Sequence, residues 1–167
     1  MSTRISVGTA PDGALLQPYR DDGPTYTDCY VATVPGSHSL GAFVTAFYTT
    51  WLFRLERLIL RWFAGRPSSD SDVAALAAGD ATNFAAWTVE ARRDEEILLC
   101  DMAGRTRSWL MVEPDGAGKT VLRFGSAVVP VKSSDSSLGF LVGLLMPFHR
   151  VYSRALLSLA ARRLSSG

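Results

Sequence analysis

Histidine and cysteine are scarce in this chain, with only His38, His149, Cys29 and Cys100 among 167 residues. Two histidines exclude a multi-histidine metal site. The cysteines stand in no metal or redox spacing, so no disulfide framework is expected, and reduced thiols in a cytoplasmic compartment are the expectation. Charge of one sign is also missing: 17 basic residues face 16 acidic ones, a net charge of +1. No global field therefore draws nucleic acid, and no basic tract is interleaved with stacking aromatics. The longest apolar stretches, Gly41–Phe53 and Ser136–Met146, fall short of the roughly 18–20 residues of a membrane-spanning helix. Met1–Gly13 has one basic residue and no apolar core, so no signal peptide is expected. There is no internal repeat, and no cofactor is implied.

What is present is apolar. The chain is 47% hydrophobic, with a mean hydropathy of +0.12, above an ordinary soluble domain. Either a deep core with an internal cavity or an apolar surface kept for a partner or membrane accounts for this. The length fits a single domain, with 1–24 as an N-terminal arm or weak edge strand (Ile5, Val7) and 25–164 as the core.

The pattern along the chain predicts an α+β fold. A β-branched, aromatic strand at Tyr26–Val34 is stopped by Pro35-Gly36. Ser37 or Ser39 caps a long helix from about Leu40 to Ala64, with Phe43, Phe47, Leu55, Ile59 and Trp62 at helical spacing. A short helix, Asp72–Ala78, is capped by Asp70 or Ser71 and ends at Gly79. Four strands follow: Phe84–Arg92, Glu95–Met102, Thr106–Glu113 and Thr120–Val129. Their links are so short that neighbours must be antiparallel, giving a sheet of about five or more strands. A C-terminal helix, about Leu138–Leu164 and bent at Pro147, lies across it.

Hairpin geometry suggests registers. A two-residue turn at Ala103-Gly104 sets Cys100 opposite Arg107 and Leu98 opposite Trp109. A similar turn at Arg93-Asp94 sets Val89 opposite Leu98 and Trp87 opposite Cys100. Pairing Glu113 with Thr120 sets Trp109 opposite Phe124 and Met111 opposite Leu122. Together these place Trp87, Val89, Leu98, Cys100, Trp109, Met111, Leu122 and Phe124 on one core face under the last helix. Ile97, Leu99, Leu110 and Val112 then fall on a half-wet face that could pair with a second subunit. Arg107 breaks the pattern on the aromatic face. It either snorkels to water from the strand end or points into a cavity and binds an anionic or carbonyl group.

Three local motifs carry less. Gly116-Ala117-Gly118-Lys119-Thr120 looks like the end of a phosphate loop, but a strand follows it, as in a hairpin turn. Ser37-His38-Ser39-Leu40-Gly41 resembles a nucleophile elbow without its first glycine, and helix capping also explains its serines. His149 and Tyr152 share a face of the last helix, whose second half is basic, through Arg150, Arg154, Arg162 and Arg163.

The element order resembles the helix-grip fold, a superfamily of START-type lipid carriers, plant allergen-like proteins and polyketide cyclases. The segments Gly104-Arg105-Thr106-Arg107-Ser108-Trp109, Arg123–Pro130 and His149–Arg154 also look like those of a bacterial family of uncharacterised proteins associated with it. Helix-grip proteins have more strands before the last helix, and Ile5–Leu16 is where others would lie. The resemblance implies a cavity between sheet and last helix that accepts an apolar ligand; no catalytic residue carries over. The leading expectation is thus a binding protein for a small hydrophobic molecule, lined by Trp87, Trp109, Met111 and Phe124 with Arg107, His149 and Tyr152 as polar handles. A cyclase- or lyase-type enzyme using His149 or Tyr152 as proton donor beside Arg107 is the second. A dimeric or membrane-peripheral module, using the half-wet face or the basic helix end, is the third.

Overall fold

A computed structural model of the chain describes residues 4–55, 68–130 and 136–166, with 136–146 described as helical backbone. Among the described residues, seven strands form one antiparallel sheet: β1 (Ser6–Val7), β2 (Tyr26–Pro35), β3 (Asn83–Phe84), β4 (Trp87–Arg92), β5 (Glu96–Asp101), β6 (Thr106–Pro114) and β7 (Lys119–Val128). Their spatial order is β1-β2-β7-β6-β5-β4-β3. The helices are α1 (Gln17–Arg20), α2 (Leu40–Tyr48), α3 (Asp70–Ala78) and the 31-residue α4 (Ser136–Ser166). The fold is the expected α+β arrangement, with a long C-terminal helix on an antiparallel sheet.

The helix expected over Leu40–Ala64 is interrupted. Ser39 caps α2 through a bond from Ala42 N–H, and Phe43 and Phe47 are buried as the periodicity implies. At Thr50 the hydroxyl donates back to Phe47 O at 2.9 Å and accepts from Phe53 N–H at 3.2 Å. Threonine thus satisfies the end of one helix and the start of another, and residues 51–55 are again helical. Apolar spacing continues across this break, so periodicity could not reveal it. Leu55 is half exposed, and Ile59 and Trp62 lie outside the described residues. α3 begins earlier than expected because Ser69, not Asp70 or Ser71, forms a capping box with Asp72; Gly79 ends it at φ +87°. Pro147 lies inside α4. Among the described residues, no helix is long and apolar enough to cross a membrane.

One predicted register holds and two shift. The turn after β5 sets Cys100 opposite Arg107 and Leu98 opposite Trp109. Between β6 and β7, Pro114 pairs with Thr120, which sets Trp109 against Gly125 and Leu110 against Phe124. The Asp115 carboxylate holds this turn by accepting from Ala117 N–H and Lys119 N–H. Between β4 and β5, a bulge between Val89 and Ala91 sets Trp87 against Asp101 and Val89 against Leu99. The irregularity leaves the Glu90 carboxylate 3.0 Å from Arg107 Nε.

These shifts redistribute the two faces. Ile97, Leu99, Leu110 and Val112, expected on the half-wet side, are buried under the helices with Leu122, Phe124, Trp87 and Val89. Leu98, Trp109 and Met111 lie on the opposite side, in a second cluster with Cys29, Leu16 and Ala127. Strands β5 and β6 are apolar on both sides, so alternation alone could not choose between registers.

The opposite face is covered by the chain's own N-terminal segment. Leu16 is buried and Leu15 N–H donates to Glu96 Oε2 at 2.8 Å. Arg93 reaches from the turn to Gly13 O at 2.7 Å and Glu96 Oε1 at 2.8 Å. Trp109 Nε1 also donates to Glu96 Oε2, at 2.8 Å. The arm anticipated from composition is therefore a fixed second layer, and Ser6–Val7 extends the sheet beyond β2.

Burial on this face has a consequence at high pH. It pushes the Cys29 thiol from 9.0 up to about 11, and on the helix side it pushes the Tyr30 phenol from 10.0 up to about 12. Both shifts are upward, so their contribution is fully present below the unfolded values and fades as pH rises towards the folded ones. Near pH 10 ionisation of the Cys29 thiol on unfolding should by itself cost about 1 kcal/mol. Urea unfolding of the wild type and Cys29→Ala across pH 8–10.5 should show a smaller alkaline loss in the variant.

Candidate functional site

Where α2, α4 and the sheet meet, a row of polar side chains crosses an otherwise apolar face. Asp28 on β2 pairs with Ser126 on β7, and Ser126 pairs with Ser108 on β6. Equal register on adjacent antiparallel strands points all three side chains at the helices. Above them, α4 supplies His149 and Ser153, one turn apart, and α2 supplies Tyr48.

The contacts are short and ordered. Asp28 Oδ1 accepts from Ser126 N–H at 3.0 Å and from Ser126 Oγ–H at 2.5 Å. Tyr26 O–H lies 3.3 Å from the other carboxylate oxygen, Oδ2. His149 Nε2 is 2.8 Å from Ser126 Oγ, 3.5 Å from Ser153 Oγ and 3.6 Å from Asp28 Oδ2. A serine hydroxyl has one proton, and a carboxylate can only accept. With that proton given to Asp28, Ser126 Oγ accepts from His149, which puts a hydrogen on Nε2. Tyr48 O–H and Ser108 Oγ sit 3.2 Å apart. At the outer end, Arg150 Nε donates to Tyr26 O–H at 3.2 Å. Burial is the main cause raising the Tyr26 phenol above its ordinary value.

Beside this row lies a cavity of about 140 Å³. Phe47, Tyr48, Phe53, Trp87, Phe124, Tyr152 and Leu156 form its apolar walls; Ser108, Ser126, His149 and Ser153 form its polar side. The aromatic walls brace one another: Phe47 and Phe124 centroids are 4.6 Å apart, and Tyr48 and Phe53 are 4.7 Å apart edge to face. Phe148 stacks on Tyr152 from the solvent side.

Of the seven residues singled out in the sequence, Trp87, Phe124, His149 and Tyr152 line this cavity together. Arg107 touches its edge, but its guanidinium turns to the other face. There it pairs with Glu90 at 3.0 Å, lies 4.8 Å above the Tyr19 ring and donates to Gly104 O. Its partners are thus Glu90 on β4, the carbonyl of Gly104 and, from the N-terminal layer, Tyr19, whose hydroxyl is 3.0 Å from Nε. Trp109 and Met111 belong to the second cluster and do not reach the cavity.

Sequence reasoning missed Asp28, Ser126, Ser108 and Ser153, and the contribution of Phe47, Tyr48 and Phe53. The β2–β7 register would have found the polar row, because only that pairing brings Asp28 beside Ser126. The two motifs set aside in the sequence are structural: Ser39 caps α2, His38 Nε2 contacts Pro35 O, and Lys119 opens β7. Among the described residues, no group of three or more His, Cys, Asp and Glu side chains is placed to hold a metal ion. No family model matches this chain, and no curated protein matches it either.

Proposed function

We propose that the protein binds a small hydrophobic molecule in the cavity between the sheet and α4. The observation that carries this reading is the combination of aromatic walls with a polar row along one side, the usual composition of a small-molecule site. A cavity near 150 Å³ holds about one benzene-sized ring, so the volume of about 140 Å³ favours single-ring compounds over long lipids. A long C-terminal helix laid across an antiparallel sheet is the arrangement that the resemblance to helix-grip carriers implies.

Native mass spectrometry of the purified protein should reveal a retained molecule of single-ring size. Titration with toluene or indole should raise Tm by about 5–10 °C at a hundredfold excess over Kd. No retained mass and no shift with either compound would overturn the reading.

A cyclase- or lyase-type reaction in the same cavity is the second reading, and the His149–Ser126–Asp28 contacts are what favour it. It requires turnover of a ring-forming or ring-cleaving substrate that His149→Gln abolishes.

A further inference from the structure

We infer that His149 makes this cavity selective for rings bearing an acidic hydroxyl, phenols and enols, by accepting their proton at Nδ1. The inference rests on the cavity reading above and names the ligand class for it. Three observations converge on His149. Its Nε2 edge is turned to Ser126 and Ser153, both essentially inaccessible to solvent. The ring itself lines the cavity. Its Nδ1 has no hydrogen-bond partner among the described residues.

The Ser126 proton is committed to Asp28, which fixes the hydrogen of a neutral imidazole on Nε2 and leaves Nδ1 as the basic nitrogen. The ligand O–H can then transfer its proton to Nδ1. In that transfer the ligand O–H bond breaks, an Nδ1–H bond forms and the electron pair stays on the ligand oxygen. The resulting imidazolium has the Asp28 carboxylate 3.6 Å from Nε2, so its charge is compensated inside the protein. Among the described residues, the other polar and charged groups around it are Tyr26 and Arg150 beyond Asp28, Tyr48, Tyr152, Thr106 and Ser108 on the cavity walls, and Arg107 at the cavity edge, paired with Glu90. Ser126 and Asp28 act as positioning residues, because they set the tautomer and need not touch the ligand.

The test uses 4-nitrophenol, whose phenol and phenolate forms absorb at different wavelengths, and nitrobenzene, which has the ring without the hydroxyl. In a mildly acidic buffer the free compound is the neutral phenol. The full-length protein should bind it roughly tenfold more tightly than nitrobenzene, and the phenolate band should appear on binding. His149→Gln should keep the circular dichroism spectrum of the wild type, which shows an intact fold, and its own nitrobenzene affinity is the reference for its phenol affinity. The variant should lose the phenol preference, and its bound 4-nitrophenol should stay neutral. Asp28→Asn should retain binding with a smaller phenolate band. A neutral spectrum in the wild-type complex, or an unchanged phenolate band in His149→Gln, would overturn the inference. If nitrobenzene and 4-nitrophenol bind equally well, the selectivity fails and the cavity reading survives. If neither binds, both fail.

Discussion

Trp109→Ala should lower the free energy of unfolding by about 3–5 kcal/mol, the cost of removing a fully buried large aromatic side chain. Trp109 is completely buried, under the N-terminal layer rather than under α4. Its indole N–H is one of the groups that make Glu96 tolerable in the interior: Trp109 Nε1 and Leu15 N–H share Oε2, while Arg93 holds Oε1. Truncation therefore opens a cavity and also removes a donor from a buried carboxylate. Trp109→Phe gives the donor more weight, because it keeps much of the apolar volume while losing the N–H and part of the indole ring. It should cost about 1–3 kcal/mol. Urea unfolding of the wild type and both variants supplies the comparison. A loss below about 1 kcal/mol for the alanine variant would show that the N-terminal layer is not anchored as described.

Gly125→Val is the second large effect. A Cβ at this position would sit 2.7 Å from Leu16 Cδ2, 2.9 Å from Asp28 O and 2.9 Å from Trp109 Cε3. The leucine tip can move, but Asp28 O belongs to a paired strand and the Trp109 ring is held by Glu96. Valine adds two methyl groups to that collision, so a loss of about 3 kcal/mol is expected, at the upper end for overpacked cores. Leu16 is the most yielding neighbour, so residues 10–20 should be displaced and cut first in limited proteolysis. A variant with wild-type stability and protease resistance would contradict the packing described here.

Architecture was readable from this sequence to the extent that local chemistry dictates it. The caps and glycine stops, the short hairpin links and the apolar spacing of Phe43 and Phe47 each act over a few residues, and each led to an element that exists. The Ala103-Gly104 turn was specific enough to place Cys100 opposite Arg107 correctly. The site was legible only in part, because it depends on which face each residue takes. Ile97-Leu98-Leu99 and Trp109-Leu110-Met111 bury both of their faces, so hydrophobicity does not distinguish inward from outward there. The bulge near Glu90 and the Asp115 turn, each held by two side-chain bonds, then decided the matter. Trp87, Phe124, His149 and Tyr152 came out together because β4 and β7 and the α4 spacing were read in the right sense. Trp109 and Met111 did not, because β6 was turned over by one residue.

The pairing of β2 with β7 also bears on how the chain reaches this structure. Tyr26 meets Val128 and Pro35 meets Lys119, partners roughly a hundred residues apart in sequence, and such distant contacts slow folding. During synthesis, β2 must wait with its long hydrogen-bonding edge unsatisfied until the meander from β3 to β7 has been made. In that interval the apolar β2 is open to pairing with another nascent chain. Yield on refolding should therefore fall with protein concentration more steeply than the native stability alone would suggest.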